Sequence, residues 1–576
     1  MPLRLRPLLR ALVGAPPTKP MARRIRWQIL IASISALTVL ILMSYLALTR
    51  ASVARPLAGG DYIEGVVGAP QHLNPLLTDP TADPVAADLQ RLIFEGLTRP
   101  GPDGLPMPAL AESWTVDDSG MVYTFTLRSG VTWHDGAPVT VDDVLFTFRA
   151  VQGPAFAGDQ NVAAFWRTVL VDRAGERSVS FRLDTPFAPF LRLTGFPILP
   201  AHLLRNVPPE QWESHAFNRL PIGAGPYRVI ELDNQRALLR VNPYYYGSPP
   251  FIETIELRFF RTEQDALAAL TRSEIQGLAF LSAGALADIN LPRSVVRRQA
   301  LLDACTVLTF NLRGGPLADL GVRRALATAL DKDALITGVL NNQVVRLDTP
   351  ILHGWWAATS DVQWYEPDAA RAASMLDTLG YVAGADGVRA REGQPLAFSL
   401  LTDSSPKRRA VAEEIARQWG AIGVRIVIEQ VEPDDLQRRL ETHDFTMALH
   451  GWQRLGSDPD VFELWHSSQA DRGRNYAGLT DADIDELLYA ARTIYDIADR
   501  AAIYSEFQAR WVDLAPGIML YQPLLIHATV ADLGNMVAVA PDEVVSPRLL
   551  VGREGRFADV NRWYLRSARE IRGDLR

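Results

Sequence analysis

The chain has 576 residues, 48% of them hydrophobic, and a formal net charge of −8 at pH 7. Its length exceeds what one compact core usually holds, so at least two lobes are expected. The acidic balance argues against nucleic acid as a partner. The single cysteine, Cys305, excludes an intrachain disulfide and a thiolate metal cluster.

The N-terminal region differs from the rest in charge and hydropathy. The first 50 residues carry eight Arg and Lys and no acid, so the remaining residues carry −16. We expect residues 1–26 to form a basic cytoplasmic N-terminus, residues 27–49 a transmembrane helix that anchors the protein, and residues 50–60 a linker to an extracytoplasmic body. A cleaved signal sequence, with Ser52-Val53-Ala54 as the cleavage site, is the alternative interpretation.

The body alternates strand and helix patterns in the manner of mixed α/β lobes. Strand patterns occur at residues 122–127, 131–133, 178–183, 227–231, 237–241, 254–259 and 424–429. One helix begins after Thr140, where Asp143 completes a capping pattern. Further helix patterns occur at residues 264–270, 320–330, 369–379, 407–422, 480–491 and 499–514.

Motifs for catalysis are missing from the sequence. It has no Gly-x-Ser-x-Gly elbow, no His-Glu-x-x-His helix and no phosphate-binding glycine loop with lysine. Ser404 to Lys407 match Ser-x-x-Lys, but the match stands alone and contains Pro406. The nine histidines show no helical metal-ligand spacing. We therefore predict a protein that is not an enzyme, with no catalytic residue, no cofactor and no metal site.

Three segments combine aromatic and turn residues: 242–247, 353–356 and 451–460. Loops of this kind can place flat rings at the mouth of a ligand cleft, or they can close a core. Both interpretations stay open for Trp355 and Trp452. For Tyr244 to Tyr246 the core interpretation is favoured.

Several ordered blocks resemble one protein family. The blocks are Leu110–Trp114, Tyr123–Val131, His134–Val144, Pro221–Val229, Phe310–Leu312, Pro316–Lys332, Leu379–Tyr381, Gly451-Trp452 and Ala515–Tyr521. They are similar to those of the bacterial extracellular solute-binding proteins of family 5, the oligopeptide-, dipeptide- and nickel-binding receptors of ABC transporters. The resemblance spans about residues 61–530.

The resemblance implies a two-lobe α/β fold like that of periplasmic binding proteins, type II, cluster C. Lobe I would comprise residues 61–305 and 521–576, with a subdomain at about 97–215, and lobe II residues 306–520. The hinges would lie near Cys305–Thr309 and Met519–Gln522. Such a receptor captures a peptide or another small polar solute and delivers it to the permease subunits of an importer. A membrane-tethered sensor or scaffold without transport is the alternative.

The resemblance also implies candidate ligand contacts. In peptide-binding members an Asp three residues after the Gly-Trp pair binds the peptide α-ammonium, and here Leu455 stands at that position. Asp458 could replace the missing acid, whereas Arg454 would favour a carboxylate or phosphate. Trp452 is the position most expected to touch ligand. Further candidates are Asn311, Trp355 and Asp83.

Overall fold

A computed structural model describes residues 19–80, 82–101, 104–282, 291–453, 455–456, 458–534 and 556–571. They form two compact units. The first contains the residues up to Leu57 together with those from Arg566 onward, and the second, here called the body, contains Ala58–Leu565.

The strands are β1 (Ser52–Leu57), β2 (Asp61–Val67), β3 (Thr98–Pro100), β4 (Pro106–Pro108), β5 (Ala111–Val116), β6 (Val122–Leu127), β7 (Leu170–Arg173), β8 (Ser178–Arg182), β9 (Tyr227–Leu232), β10 (Arg236–Val241), β11 (Thr254–Phe260), β12 (Gly277–Leu278), β13 (Val295–Leu301), β14 (Ala304–Phe310), β15 (Val344–Arg346), β16 (Val382–Ala383), β17 (Arg389–Arg391), β18 (Gln394–Pro395), β19 (Ala397–Asp403), β20 (Arg425–Val431), β21 (Met447–Gln453), β22 (Gly517–Val530) and β23 (Arg566–Ile571).

The described α-helices are α1 (Lys19–Ala51), α2 (Pro84–Ile93), α3 (Val141–Gln152), α4 (Gln160–Trp166), α5 (Phe190–Leu193), α6 (Ala201–Leu204), α7 (Glu263–Thr271), α8 (Leu320–Ala329), α9 (Lys332–Gly338), α10 (Ala369–Thr378), α11 (Pro406–Gly420), α12 (Pro433–Glu441), α13 (Phe462–Trp465), α14 (Ala482–Thr493) and α15 (Ile497–Leu514).

The predicted start of α3 is confirmed. The Asp143 side chain accepts hydrogen bonds from the Thr140 backbone N–H (2.7 Å) and from its hydroxyl (3.0 Å). By contrast, the strand predicted at 131–133 is wrong: its Thr132 makes only an isolated bridge to Pro138. Gly130 and Gly136 both have positive φ and turn the chain on either side, which leaves too little length for a ladder.

The described part of the N-terminal unit consists of one long helix and a two-stranded sheet. Helix α1 has 33 residues, and its segment Trp27–Tyr45 is long and apolar enough to cross a membrane, with a mean hydropathy of 2.0. A signal sequence shares this pattern. Strand β1 follows directly and pairs antiparallel with β23. The predicted linker, residues 50–60, therefore contains the end of α1 and a strand.

A twelve-stranded sheet runs through the body. Its order is β20-β19-β21-β14-β22-β12-β2-β11-β10-β9, and β13 and β15 also pair with β22. Strand β22 serves both halves of this sheet. Its first residues pair with β14, from Thr309↔Gly517 to Thr306↔Tyr521, and its later ones pair with β13, from Leu301↔Leu524 to Val295↔Val530.

Each half of the sheet has its own core. Here lobe II denotes the half whose buried apolar cluster lies between Cys305 and Tyr521. Lobe I denotes the half whose cluster is drawn from Tyr62–Leu257 and Leu533–Trp563. A separate four-stranded sheet, β5-β6-β8-β7, accompanies lobe I. The residues from Arg566 onward are grouped with the N-terminal unit, where β23 pairs with β1, and the predicted bounds of lobe I, 61–305 and 521–576, stay a prediction.

A buried charge cluster ties the late segment of the chain to lobe I. The guanidinium of Arg556 is 1% exposed and contacts the carboxylates of Glu64 and Asp88, the latter at 2.7 Å. Burial alone would raise the pKa of Glu64, but the charge of Arg556 lowers it to about 2. Glu64 therefore stays ionised inside the lobe.

Candidate functional site

Two chain segments connect the lobes, and one buried glutamine holds them together. Gln522 is fully buried, and its amide nitrogen donates to the Leu302 carbonyl (2.7 Å) and the His353 carbonyl (3.2 Å). Its amide oxygen accepts from the His353 backbone N–H (3.0 Å). The side chain thus links both crossing segments to the loop that carries Trp355.

A buried lysine makes a second connection beside the crossing. The ammonium of Lys332 donates to the carbonyls of Leu347 (3.0 Å) and Met519 (3.1 Å), contacts Asp348, and lies 3.8 Å from the centre of the Trp364 ring. Burial lowers the pKa of Lys332 to about 7, against the opposing effect of Asp348. These contacts fix β22 to lobe II just before it crosses.

A cavity of about 140 Å³ lies in lobe II, at the ends of β19 and β21 and the start of α11. Ligands of α/β sheets bind at the carboxyl ends of the strands, which is where this cavity lies. The polar and aromatic side chains that line it are those of Asp403, Arg408, Gln437, His450, Trp452 and Tyr476.

The charges in the cavity are already matched. Arg408 is 20% exposed and forms an ion pair with Asp403, which is 14% exposed. Asp403 also accepts a hydrogen bond from the Ser405 backbone N–H (3.1 Å). Because the pair is partly buried, its partners attract each other more strongly than on an open surface. The cavity therefore offers an ion pair rather than a free charge.

His450 forms a neutral wall of the cavity. It is 3% exposed, and its Nε2 lies 2.8 Å from the Thr309 hydroxyl. Burial, and then the charge of Arg408, lower the pKa of His450 to about 3. The imidazole is therefore uncharged at neutral pH, and it meets the rings of Trp452 and Tyr476 edge-on, with centroids 5.0 Å and 5.6 Å away.

The two candidate tryptophans lie near one loop but differ in position. Trp452 lines the cavity, and its ring meets Trp465 edge-on at 5.6 Å. Trp355 is 2% exposed, and its indole N–H donates to the Gly456 carbonyl at 2.8 Å. Trp452 therefore lines the cavity, whereas Trp355 supports the loop from beneath, and the ligand roles of both stay predictions.

The loop after Trp452 is bonded both to a segment that crosses between the lobes and to the interior of lobe II. The Leu455 backbone N–H donates to the carbonyl of Asp303 (3.1 Å), between β13 and β14, and its side chain is half-buried. Asp458 is bound by both terminal nitrogens of Arg500, at 2.8 Å and 3.1 Å. Its carboxylate therefore already has a cationic partner. Arg454 lies outside the described residues, and its ligand role stays a prediction.

Asn311 and Asp83 lie apart from the cavity lining. The Asn311 amide donates to the carbonyls of His443 (3.1 Å) and Phe445 (2.9 Å). Asp83 caps α2 by accepting from the Ala86 backbone N–H at 2.9 Å. Both side chains hold turns in the structure, and their ligand roles stay predictions.

Contacts across the lobes form a seam that the sequence did not indicate. The Tyr495 hydroxyl of lobe II donates to the Gly120 carbonyl of lobe I (2.8 Å), and the Ala188 N–H donates to the Arg492 carbonyl (2.6 Å). Gly456 has φ +79°, and a Cβ there would collide with the guanidinium of Arg192. The lobes therefore touch directly beside the loop that follows Trp452.

Arg408 was also missed at the sequence level. It lies in the first turn of α11, three residues after the cap Ser405, which follows β19. A strand that ends in Asp and is followed by a capped helix with basic residues is the signal that could have identified it.

As for metals, the described residues contain no group of three His, Cys, Asp or Glu side chains placed to hold an ion.

These features define a class of two-lobe, periplasmic-binding-protein-like folds, as the sequence predicted. A family model described as "Bacterial extracellular solute-binding proteins, family 5 Middle" matches residues 106–473. The chain belongs to this family, whose members are solute-binding receptors and not enzymes.

Curated relatives and solved structures cover most of the chain. It is 27% identical to the oligopeptide-binding protein AppA of Bacillus subtilis over 82% of this chain and 88% of the relative. It is 31% identical to Protein XP55 of Streptomyces lividans over 78% of this chain and 81% of the relative. The solved structure of the B. subtilis AppA–nonapeptide complex superposes with a TM-score of 0.65 at 25% identity, covering 89% of this chain and all of that one.

Proposed function

We propose that this protein is an extracytoplasmic receptor of an ABC importer, which captures a peptide or another small polar solute between its lobes and delivers it to the permease subunits. The observation that carries the proposal is the cavity lined by Trp452 and Arg408, at the strand ends of one lobe and beside the two crossings. Relatives named for oligopeptide, dipeptide and nickel binding support this assignment.

Capture would work by a shift in the lobe equilibrium. A solute that contacts both lobes in the closed state binds that state better and therefore raises its population. The hinges would lie at the connections that Gln522 braces, Leu302–Asp303 and Tyr521–Leu524. The second overlaps the predicted hinge at Met519–Gln522, and the first lies just before the predicted hinge at Cys305–Thr309, which is part of β14. The Tyr495–Gly120 hydrogen bond would form as the lobes close.

The matched charges suggest which solutes fit. Two carboxylates near Trp452 are already paired, Asp403 with Arg408 and Asp458 with Arg500. Leu455 cannot accept a hydrogen bond from an ammonium group, and a buried ammonium without a charged partner is strongly disfavoured. The preferred solute therefore has no free α-ammonium at this position.

Substitution of Leu455 tests this ligand chemistry. With tri-alanine and N-acetyl-tri-alanine as probes, calorimetry on the wild-type protein should show no preference for the free amino form. Leu455→Asp should raise affinity for tri-alanine about tenfold, since a hydrogen bond to a charged group contributes roughly 1.5–3 kcal/mol. Leu455→Asn, similar in size but neutral, is the matched control. Equal tri-alanine affinity in all three proteins would contradict the assignment.

Two further measurements test the receptor itself. Native mass spectrometry of the purified protein should reveal a co-purified small molecule. Small-angle scattering should show a smaller radius of gyration when that molecule is bound than after its removal. A radius unchanged by a bound solute would remove the closure mechanism.

The N-terminal unit supports a membrane-bound location. We propose that Trp27–Tyr45 anchors the protein in the membrane, with the basic residues before it in the cytoplasm and the body outside. Its length of 19 residues suits a bilayer core of about 30 Å.

A further inference from the structure

Strand β1 begins where the apolar helix ends. Helix α1 ends at Ala51, and β1 starts at Ser52 without an intervening loop. Its six residues pair with the six residues of β23, from Ser52↔Ile571 to Leu57↔Arg566. The chain that leaves the helix therefore pairs immediately with a strand that lies about 500 residues later in the sequence.

The small-residue site for cleavage lies inside this ladder. Processing after Ala54 would remove Ser52, Val53 and Ala54, which pair with Ile571, Glu570 and Arg569. Three residue pairs would remain, so each strand would have three residues, fewer than the roughly five or six of an ordinary strand. An isolated two-stranded ladder is marginal even at full length, so the loss of half its pairs would dissolve it.

We infer that α1 is retained in the mature protein and that β1 and β23 form a ribbon on the extracytoplasmic face of the membrane. This ribbon fastens both ends of the body to the anchor. This inference rests on the proposed anchor. The body is then joined to the ribbon by two chain connections, at Ala58 and at Leu565, rather than by a single tether.

The charge of this region suits a lipid surface. Arg55 and Arg566, one on each strand, lie in the ribbon. Basic residues next to a membrane are attracted to anionic headgroups. The body is acidic, so the ribbon is the basic part of the extracytoplasmic chain nearest the helix.

Cysteine pairs test the ribbon in the full-length protein. The natural cysteine, Cys305, is 3% exposed and does not compete. Arg55→Cys with Ala568→Cys, and Pro56→Cys with Ser567→Cys, place sulfurs at register partners on adjacent ladder positions. Arg55→Cys with Arg566→Cys is the off-register control, because diagonal positions exceed the reach of a disulfide.

In membranes from expressing cells, at least one in-register pair should form about ten times more intrachain disulfide than the control, because only it meets the Cβ separation that a disulfide needs. Equal yields in all three pairs would overturn the ribbon. Intact mass of the membrane-extracted protein should include the residues before Ser52. A mature chain that begins at Arg55, or its recovery in the soluble fraction, would overturn the retained helix.

These outcomes are separable from solute binding. If the receptor function fails but the disulfide and mass results hold, the ribbon stands alone. If solute binding holds but the chain is cleaved at Ala54, the receptor function stands and the ribbon inference fails.

Discussion

Two nearly buried arginines, Arg556 in lobe I and Arg500 in lobe II, make similar contacts in different settings. Arg556 is 1% exposed and binds Glu64 on β2 and Asp88 on α2. Arg500 is 3% exposed and binds Asp458 in the loop that follows Trp452. Arg556 therefore joins elements of a core, whereas Arg500 holds the loop that follows Trp452.

The two arginines differ in whether they affect stability alone or stability together with solute binding. Removal of either arginine leaves a carboxylate without its partner inside the protein, which is costly for folding. Only the loss of Arg500 should also release the segment between Trp452 and Asp458. The same chemistry thus supports the fold at one place and the shape of the site at the other.

The largest expected effect comes from Arg556→Met. Glu64 and Asp88 would lose their shared cation, and the free energy of unfolding should fall by about 3–5 kcal/mol. Chemical denaturation measures it. Arg562→Met, at a side chain that is 65% exposed, is the control and should change stability by less than about 0.5 kcal/mol. A loss below about 1 kcal/mol for Arg556→Met would show that the cluster is unimportant for the fold.

Arg500→Met should lower stability by about 3 kcal/mol and also weaken solute binding. The Arg500→Met, Asp458→Asn double variant should recover part of the stability, because it no longer buries an unpaired charge. Denaturation and calorimetry on the same samples separate the two effects. If stability falls while affinity stays that of the wild type, Arg500 is a core residue like Arg556 and the comparison fails.

Acid should destabilise the protein through His450. Its pKa is about 3 in the folded protein and ordinarily 6.5, so below about pH 6.5 the unfolded chain binds a proton that the folded chain does not. Stability is therefore lost as the pH falls from about 6.5 towards 3. At pH 5 the loss is about 2 kcal/mol.

The variant His450→Gln isolates this contribution. The difference in unfolding free energy between pH 7.5 and pH 5 should be smaller in the variant than in the wild type. His134 of lobe I, whose pKa burial lowers to about 4, provides the matched comparison. His134→Gln should also reduce acid sensitivity but leave solute affinity unchanged, whereas His450→Gln should change it. Identical pH profiles for wild type and His450→Gln would contradict the buried neutral assignment.

The smallest expected effect is that of Tyr495→Phe. It removes the hydrogen bond to the Gly120 carbonyl across the lobes, which contributes roughly 0.5–1.5 kcal/mol to the closed state. Solute affinity should fall a few-fold with little change in overall stability. Tyr489→Phe, at a position that is 59% exposed, is the control. Equal solute affinity of the two variants would show that the Tyr495 hydroxyl does not stabilise the closed state.

The sequence predicted local structure better than it predicted which distant residues and strands pair with each other. Alternation marked β6, and the Thr140–Asp143 pattern marked α3, because both signals lie within a few residues. The resemblance supplied the two lobes, and it predicted a ligand contact at Trp452. It could not show that Asp458 would meet Arg500 or that β1 would meet β23. These partners are distant in sequence, and nothing local distinguishes a paired Asp from a free one.

Strand β22 has a consequence for secretion. It lies between β14 and β12 in the sheet, so each half lacks a central neighbour until Gly517–Val530 is in place. Neither lobe can complete its sheet while that segment is still inside the cell. The chain should therefore cross the membrane unfolded and gain its native structure in one late step outside.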